Sequence, residues 1–430
     1  MNRVTRVIVL FLSILVVGYV SMGYVLGRAA DDKNYRALGV FTEVLQHIQQ
    51  DYVEEPNLQL VTSGALHGLL ESLDPRSSYM SPREYTEYKS KIERGAKGEI
   101  GAALSKRFGY ITVVAVLPDS PAQKAGLRDG DILEAIAKFT TREMSIGQAQ
   151  NLLSGDPGTG VTVSVVRRAR AEPQDVDIVR AELTPAKMQV RMLADPEAPA
   201  AAGIAQVRVP SLSPGRAEEL KAKLIQLEKQ GAKKLILDLR DCAFGSNSEG
   251  IAAARLFVGS GTLGSLRGQT VPTQTFLAEP AKAVWKQPVT VLISNGTSGA
   301  AEIIVAAIAG NQRGETVGER TFGSASEQKL IILEDGAAIN LTVANYYRPD
   351  GKSIPEEGVT PSVEVRRTAA NATEPDEDEE APAAQQPEAP QPKDDAVLKK
   401  AIELLLAPAP PAKAEKKISS LKKLAFPEAG

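Results

Sequence analysis

Cysteine and histidine are nearly absent from this sequence, which contains one cysteine, Cys242, and two histidines, His47 and His67, among 430 residues. A single cysteine excludes an intrachain disulfide, so packing must stabilise the folded state. No His/Cys cluster exists for a metal site, and we expect neither a metal nor another cofactor. Both histidines fall in the N-terminal helical region, where we expect them to lie on helices rather than to act in catalysis.

An excess of basic residues is also lacking, because 50 lysines and arginines are balanced by 53 acidic residues, for a net charge of −3. No basic run is interleaved with aromatic residues, which make up 5% of the chain. This pattern argues against nucleic acid as a partner. The 43% hydrophobic content is ordinary for globular proteins, and the length is sufficient for two or three domains.

One long uncharged run occurs at residues 7–27, VIVLFLSILVVGYVSMGYVLG, after Arg3 and Arg6. Its length fits a bilayer core of ~30 Å, and the positive-inside rule places the rest of the chain outside the cytoplasm. We expect this run to be a single-pass anchor in the inner (cytoplasmic) membrane, with most of the chain in the periplasm. A cleaved signal peptide is the competing interpretation, although the run exceeds a usual h-region and GRAA is a poor cleavage site.

Between residues 98 and 182, short alternating runs such as YITVVAV and VTVSVVRR are separated by glycine-containing turns. The segment SPAQKAGLRDGDILEAI, followed by a helix expected at 145–153, resembles a PDZ domain. The resemblance implies that an extended peptide, often a protein C-terminus, binds as an added strand beside backbone amides that hold its carboxylate. The peptide-binding residues would then be Glu99, Ile100, Gly101 and Ala102.

Glu99 stands where the resemblance favours a glycine. If its carboxylate faces the backbone amides, like-charge repulsion would weaken capture of a terminal carboxylate. If its side chain points to solvent, it would change little. The sequence leaves both alternatives open.

Residues 203–366 alternate between strand and helix patterns. A strand at 203–209 precedes an amphipathic helix, and KKLILDLR and VTVLIS are apolar runs suited to strands that are buried on both faces. The alternation predicts a mainly parallel or mixed sheet flanked by helices.

The motifs LDPRSSYMS, DLR, NGTSGAAEI, TFGSASEQ and YYRPDGKSIPEEGVTPSVEV follow one another in that order around the PDZ-like segment. From Tyr35 to Val365 the chain resembles the C-terminal processing, or tail-specific, serine proteases. The resemblance implies a serine nucleophile on the turn before a helix and a lysine general base on the following strand, oriented by a glutamine. Such a lysine must be neutral, which burial of its ammonium group favours.

Both chemical groups are missing. Aligning Gly296 and Glu302 with the family pattern places the nucleophile position at Gly299, and aligning the TFG motif places the base position at Ser324. Gln328 matches the orienting glutamine, and we expect it to have nothing to orient. The site is therefore predicted to be degenerate.

The neighbouring residues offer poor substitutes. Ser298 is one position away from Gly299, and we expect its side chain to leave the sharp turn in another direction. Lys329, the candidate replacement base, is an odd number of residues from Ser324, which predicts that its side chain lies on the opposite face of the strand.

The loop after the DLR motif departs from the family pattern as well. Phe244 puts a ring where the family has glycine-rich backbone that contributes to oxyanion stabilisation.

A rearranged active site is the rival hypothesis. Its nucleophile would be Cys242, Ser298 or Ser324, and its helper Glu302, Asp241 or Glu319. A thiolate normally needs a histidine or a cation beside it, and this region contains no histidine. We predict a membrane-anchored pseudoprotease that binds extended peptides or protein C-termini as an adaptor or regulator. The alternatives are an active C-terminal processing endopeptidase and an oligomeric scaffold, as a homo-oligomer or with an active paralogue.

The predicted fold is multidomain α+β, with a transmembrane helix, a helical unit, a PDZ-like β domain and an α/β protease core. An acidic Pro/Ala-rich stretch after the core predicts a solvated linker, and a short helix is predicted at 395–407. The predicted segments are the anchor 1–30, the helical unit 31–97, the PDZ-like domain 98–185, the core 186–367, the linker 368–395, and the short helix with a basic tail 396–430.

Overall fold

The computed structural model describes residues 15–16, 36 and 38–407, except 96, 108, 143, 168–169, 194–202, 356 and 367–394. The anchor predicted at 7–27 lies outside the described residues apart from 15 and 16, as do the predicted linker before Asp395 and the tail after 407. Within the described ranges, no helix combines the length and apolarity needed to cross a bilayer.

The chain divides into two compact units, Met1–Ser72 and Leu73–Gly430. The first contains helices α1 (38–51) and α2 (Leu58–Glu71), and the Asn57 side chain accepts a hydrogen bond from the Leu60 N–H to begin α2. The segment predicted as one helical unit, 31–97, is thus divided between the two units.

The second unit opens with β1 and α3 and continues into the PDZ-like domain. These elements are β1 (Ser78–Met80), α3 (Pro82–Glu93), β2 (Gly98–Glu99), β3 (Ala102–Arg107), β4 (Tyr110–Val116), α4 (Pro121–Lys124), β5 (Ile132–Ile136), β6 (Phe139–Thr140), α5 (Ile146–Leu153), β7 (Gly160–Arg167), β8 (Arg170–Val179) and β9 (Ala181–Glu182).

An antiparallel sheet in the order β3-β4-β5-β7-β8 forms the PDZ-like domain, because alternate apolar residues such as Ile111 and Val113 of β4 point into one core. Helix α5 begins at Ser145, whose hydroxyl accepts from the Gln148 N–H while Gln148 accepts from the Ser145 N–H. Among the described strands, β3 pairs only with β4. The second edge of β3 is therefore unpaired.

The core contains a six-stranded mixed sheet in the order β10-β11-β12-β15-β16-β19, in which only β10 is antiparallel to its neighbour. The predicted mixed sheet is confirmed. Its elements are β10 (Gln189–Leu193), β11 (Ile204–Arg208), α6 (Arg216–Lys229), β12 (Lys234–Asp238), α7 (Asn247–Arg255), β15 (Val289–Ile293), α8 (Ala300–Gly310), β16 (Glu315–Gly318), β19 (Val363–Glu364) and α9 (Ala396–Leu406).

Helices cover both faces of this sheet. Alternate strand residues such as Val207 and Leu237 pack against α6, α7 and α8, while Ile236 and Leu292 belong to a second cluster with Val397 of α9. Burial on both faces explains why these strands read as continuous apolar runs.

Helix α9 is tied to the DLR motif by charge. Asp395, its N-cap residue, accepts two hydrogen bonds from Arg240 Nη1 at 3.0 and 2.9 Å, and Arg240 Nη2 donates to the buried Asp238 at 2.7 Å. Burial alone lowers the pKa of Arg240, but the two carboxylates outweigh burial and raise it. Three charges thus hold α9 at the end of β12.

A second sheet of five strands is built around β18 (Ala338–Tyr347), which pairs antiparallel with β1, β13 (Thr262–Arg267) and β17 (Ser326–Ile332), while β14 (Gln274–Leu277) pairs with β13. In the β1–β18 pair, Ser78 lies opposite Asn340. This pairing brings the LDPRSSYMS motif to β18, which also pairs with β17, the strand that carries Gln328.

Candidate functional site

A cavity of about 690 Å³, here called the central cavity, lies between the PDZ-like domain and the core. The PDZ-like domain lines it with residues of β3 and α5 and with the loop before β3. The core lines it with Phe244, Ser298, Gly299, Ser324 and Gln328, among others. The predicted peptide-binding edge and the two positions predicted to be degenerate therefore border one continuous space.

Gly299 begins α8 with φ 60° and ψ −118°, a conformation that side chains other than hydrogen rarely tolerate. A Cβ placed on Gly299 would lie 3.9 Å from Ser324 Oγ, with no closer neighbour. Positions 299 and 324 thus face each other, and Gly299 has no side chain while Ser324 has a hydroxyl.

Ser298 and Ser324, here called the serine pair, are hydrogen-bonded through their Oγ atoms at 2.5 Å. The expectation that Ser298 points away from the site is wrong. The residue whose side chain leaves the turn is Thr297, which donates to the carbonyl of Leu239, while the Ser298 N–H donates to the carbonyl of Cys242. These two contacts fix the turn so that the next side chain, Ser298, enters the cavity.

Glu302 is completely buried beneath the serine pair. Its carboxylate accepts from Thr321 Oγ1 at 2.6 Å and from the N–H groups of Gly323, Ser324 and Gly299 at 2.6, 2.8 and 2.9 Å. Burial raises the pKa of Glu302, and the four hydrogen bonds oppose that shift. Glu302 holds positions 299 and 324 together through their backbones, so it acts as a positioning residue.

The other helpers considered from the sequence lie outside the central cavity. Asp241 accepts from Ser294 Oγ at 2.9 Å and borders a separate cavity of about 220 Å³. The Glu319 N–H donates to the carbonyl of Ile293, and Glu319 is not among the residues that line the central cavity.

Cys242 is buried with 1% of its surface exposed, and burial raises the pKa of its thiol to about 12. A thiolate is the nucleophilic form, so this cysteine is unreactive at neutral pH. It does not line the central cavity either.

Gln328 has partners, so the expectation that it has nothing to orient is wrong. Its Oε1 accepts from Arg76 Nε at 3.2 Å, and its Nε2 donates to Thr342 Oγ1 at 2.7 Å and to Ser326 Oγ at 3.2 Å. Arg76 Nη1 also donates to the carbonyl of Ser324 at 2.8 Å. The glutamine positions an arginine beside the site.

Arg76 lines the cavity beside these residues and was not among the site residues predicted from the sequence. Asp74 fixes the loop that contains Arg76, because its carboxylate accepts hydrogen bonds from the N–H groups of Arg76 and Ser77 and from Thr342 Oγ1. The only signal in the sequence is the place of Arg76 within LDPRSSYMS, one of the ordered motifs. Burial lowers the pKa of Arg76, but a guanidinium remains charged at any ordinary pH.

Ser326, Gln328 and Leu330 of β17 line the cavity, whereas Lys329 is exposed and does not. On the opposite wall, Phe244 is half-buried, and its carbonyl accepts from the Leu212 N–H at 2.7 Å. Gly245 follows at φ 130°, where a Cβ would come within 2.2 Å of the Leu212 carbonyl oxygen. The loop is therefore held against residue 212, with the Phe244 ring at the cavity wall.

In the loop predicted to bind peptides, Glu99 is exposed and lines the cavity together with Ile100, Gly101 and Ala102. Gly101 has φ 80°, and its carbonyl accepts from the Leu117 N–H. These contacts fix the loop immediately before β3. No group of three potential metal ligands occurs among the described residues.

Two family models match the chain: peptidase family S41 over residues 203–365 and PDZ domain over residues 112–167. Two curated relatives are similar along most of their length. A carboxyl-terminal-processing protease of Synechocystis is 30% identical over 329 residues, covering 74% of this chain and 75% of the relative. A carboxy-terminal processing protease of Bacillus subtilis, CtpA, is 29% identical over 364 residues, covering 84% and 75%.

Among solved structures, the photosystem II D1 C-terminal processing protease is similar with a TM-score of 0.62 and 24% identity. The similarity covers 76% of this chain and 92% of that one, and it shows a shared fold.

Proposed function

Because the chain belongs to the carboxyl-terminal-processing proteases of peptidase family S41, we propose that it binds extended C-terminal segments of other proteins in the central cavity without hydrolysing them. The serine pair is the observation that carries this proposal. It stands where the nucleophile and base should meet, and it consists of two neutral hydroxyls.

A serine attacks a peptide only when a base accepts its proton. A second serine hydroxyl is far too weak a base at neutral pH, and the guanidinium of Arg76 has no lone pair to offer. Glu302 already accepts four hydrogen bonds, none of them from the serine pair. The described contacts therefore offer the serine pair no proton acceptor.

The unpaired edge of β3 supports the proposed peptide binding. An extended peptide added to this edge would satisfy the backbone groups of β3, with its side chains between β3 and α5. The cavity volume lies within the range of about 300–1,000 Å³ typical of ligand sites. A peptide on β3 would continue directly toward the serine pair, because both border the central cavity.

The test uses the full-length protein in detergent and fluorescein-labelled peptides with free C-termini. We expect saturable binding by fluorescence anisotropy and intact peptide by mass spectrometry after prolonged incubation. Cleavage that disappears in Ser298→Ala or Ser324→Ala would overturn the proposal in favour of a rearranged hydrolase. Absence of binding would overturn it as well.

Gly101→Ala is expected to weaken peptide binding about tenfold or more, because the new Cβ would come within 2.4 Å of Ser120 Cβ and displace the loop before β3. Gly126→Ala is the matched control. Gly126 has a similar φ, 85°, but no atom lies within 4 Å of the added Cβ. Equal losses in both variants would mean that the loop before β3 takes no specific part in binding.

We also propose that residues 7–27 anchor the protein in the cytoplasmic membrane with its bulk outside the cytoplasm, since the run is long, uncharged and preceded by two arginines. In spheroplasts, we expect added protease to digest the protein while a cytoplasmic marker survives. Protection from the protease, or release of the chain into the soluble periplasmic fraction, would contradict the anchor.

A further inference from the structure

We propose that Arg76 binds a carboxylate of the peptide held in the central cavity. This inference rests on the proposed peptide-binding function and adds the chemistry of one contact. The carboxylate is either the peptide's C-terminal group or an Asp or Glu side chain, and both offer the same two oxygens to a guanidinium.

Arg76 has hydrogen-bonding capacity left over. Its Nε donates to Gln328 and one hydrogen of Nη1 donates to the Ser324 carbonyl. Both acceptors are neutral. A guanidinium carries five N–H donors, so donors remain for a ligand.

The acidic groups around Arg76 are engaged elsewhere. Glu302 accepts four hydrogen bonds from the turns around the serine pair. Glu327 accepts from Asn247 Nδ2 at 3.0 Å and from the Tyr346 hydroxyl at 2.7 Å, and Asp74 binds its own turn and Thr342. In the part of the chain that the structure describes, no carboxylate makes a direct side-chain ion pair with Arg76.

A cation that lines the cavity without a direct ion pair favours an anion from outside. Arg76 keeps part of its surface exposed, yet desolvation by the surrounding wall lowers its pKa, which reflects the cost of keeping its charge away from water. A carboxylate that enters the cavity would recover that cost through charge-assisted hydrogen bonds. Gln328 and the Ser324 carbonyl hold the guanidinium in place beforehand, so little side-chain entropy is lost on binding.

The serine pair adds a donor at the same place. One of its two hydroxyl hydrogens forms the bond between the oxygens, and the other remains for a ligand. Because Arg76 contacts the carbonyl of Ser324, the guanidinium and the hydroxyl border the same part of the cavity. Both are donors, which suits a carboxylate and not an ammonium group.

The experiment measures binding of three fluorescein-labelled decapeptides to the full-length protein and to Arg76→Gln. The peptides contain Ser, Ala and Val with one internal Glu; one has a free C-terminus, one has a C-terminal amide, and one has Glu replaced by Gln. We expect Arg76→Gln to weaken binding of the first peptide about tenfold or more. We also expect one of the two neutralised peptides to lose this sensitivity, which identifies the bound carboxylate.

Lys329→Gln is the matched control, because it removes a neighbouring positive charge from the face of β17 that does not line the cavity. It should leave all three affinities unchanged. Arg76→Lys keeps the charge but loses the planar fork, and an intermediate affinity is expected even if Arg76→Gln folds poorly. Thermal unfolding of each variant separates loss of contact from loss of structure.

The outcomes distinguish this inference from the proposed function. If the wild type binds the peptides and Arg76→Gln binds all three equally well, or weakens all three by the same factor, Arg76 is not a carboxylate-binding residue, although peptide binding stands. If the wild type binds none of them, the proposed function fails and this inference fails with it.

Discussion

Gly299→Ser combined with Ser324→Lys is expected to convert the cavity into a hydrolytic site that cleaves bound C-terminal peptides. A side chain at position 299 would point at position 324, since its Cβ lies 3.9 Å from Ser324 Oγ. Glu302 already holds the backbone of both positions, and Gln328 lies on the same cavity wall. The two substitutions add a hydroxyl and an amine at these two facing positions.

The expected gain is large because a general base contributes about 10²–10⁴-fold to such a step. Cleavage by the double variant, measured by mass spectrometry, should exceed that of either single variant by at least about a hundredfold. Serine at position 299 must adopt φ near 60°, which costs about 1–3 kcal/mol, so the double variant should also unfold at a lower temperature.

The pH dependence of the double variant reports on Arg76. A lysine at position 324 acts as a base only when neutral, so cleavage should rise with pH through its pKa. The nearby guanidinium of Arg76 disfavours a second positive charge and lowers that pKa. Adding Arg76→Gln should therefore move the rise in activity to higher pH.

Absence of cleavage by a double variant that still binds peptide would contradict the expected gain. The next obstacle would be Phe244, whose ring lines the cavity. Adding Phe244→Gly would then distinguish two causes of inactivity. Activity would appear if the Phe244 ring had blocked the cleft, and it would stay absent if the two introduced side chains were misplaced.

Glu302→Ala is expected to cause the largest loss of stability among single substitutions at the site. The change leaves Thr321 Oγ1 and the N–H groups of Gly299, Gly323 and Ser324 without their acceptor. Each unsatisfied buried donor costs about 1–3 kcal/mol, so we expect a loss of about 4 kcal/mol in the free energy of unfolding. The fluorescence of Trp285, the single tryptophan, buried in the core, measures unfolding of this domain.

Glu364→Ala removes an exposed carboxylate from the same domain and is the control, with an expected change within about 0.5 kcal/mol. Glu302→Gln should fall between the two, because an amide replaces one acceptor oxygen by a donor. A loss near that of the control would mean that the four hydrogen bonds contribute little to stability.

Much of the fold could be predicted from the sequence because its pattern is local. Apolar runs such as KKLILDLR and VTVLIS correspond to β12 and β15, which are buried on both faces. The short apolar segment at 395–407 corresponds to α9, which begins at Asp395. Each of these patterns extends over a single helix or strand, so the local sequence pattern is sufficient to predict that element.

For the candidate site, the sequence predicts which chain positions are involved but not where their side chains point. Motif spacing placed Gly299 and Ser324, but the direction of Ser298 depends on the backbone torsions of the turn and on the contact of Thr297 with Leu239. Arg76 lies 248 residues from Ser324, and the β1–β18 and β17–β18 pairings that bring them together have no counterpart in local periodicity. Contacts of this kind follow from tertiary structure, which a single sequence does not display.

The strands of the core sheet lie side by side in the order in which the ribosome makes them, from β10 to β19. Each new strand can therefore join the growing edge without displacing an earlier one. The face that carries Ile236 and Leu292 nevertheless remains open until α9 is synthesised, more than a hundred residues after β15. A nascent or truncated chain exposes that apolar face, so we expect it to depend on holding chaperones until Asp395 can reach Arg240.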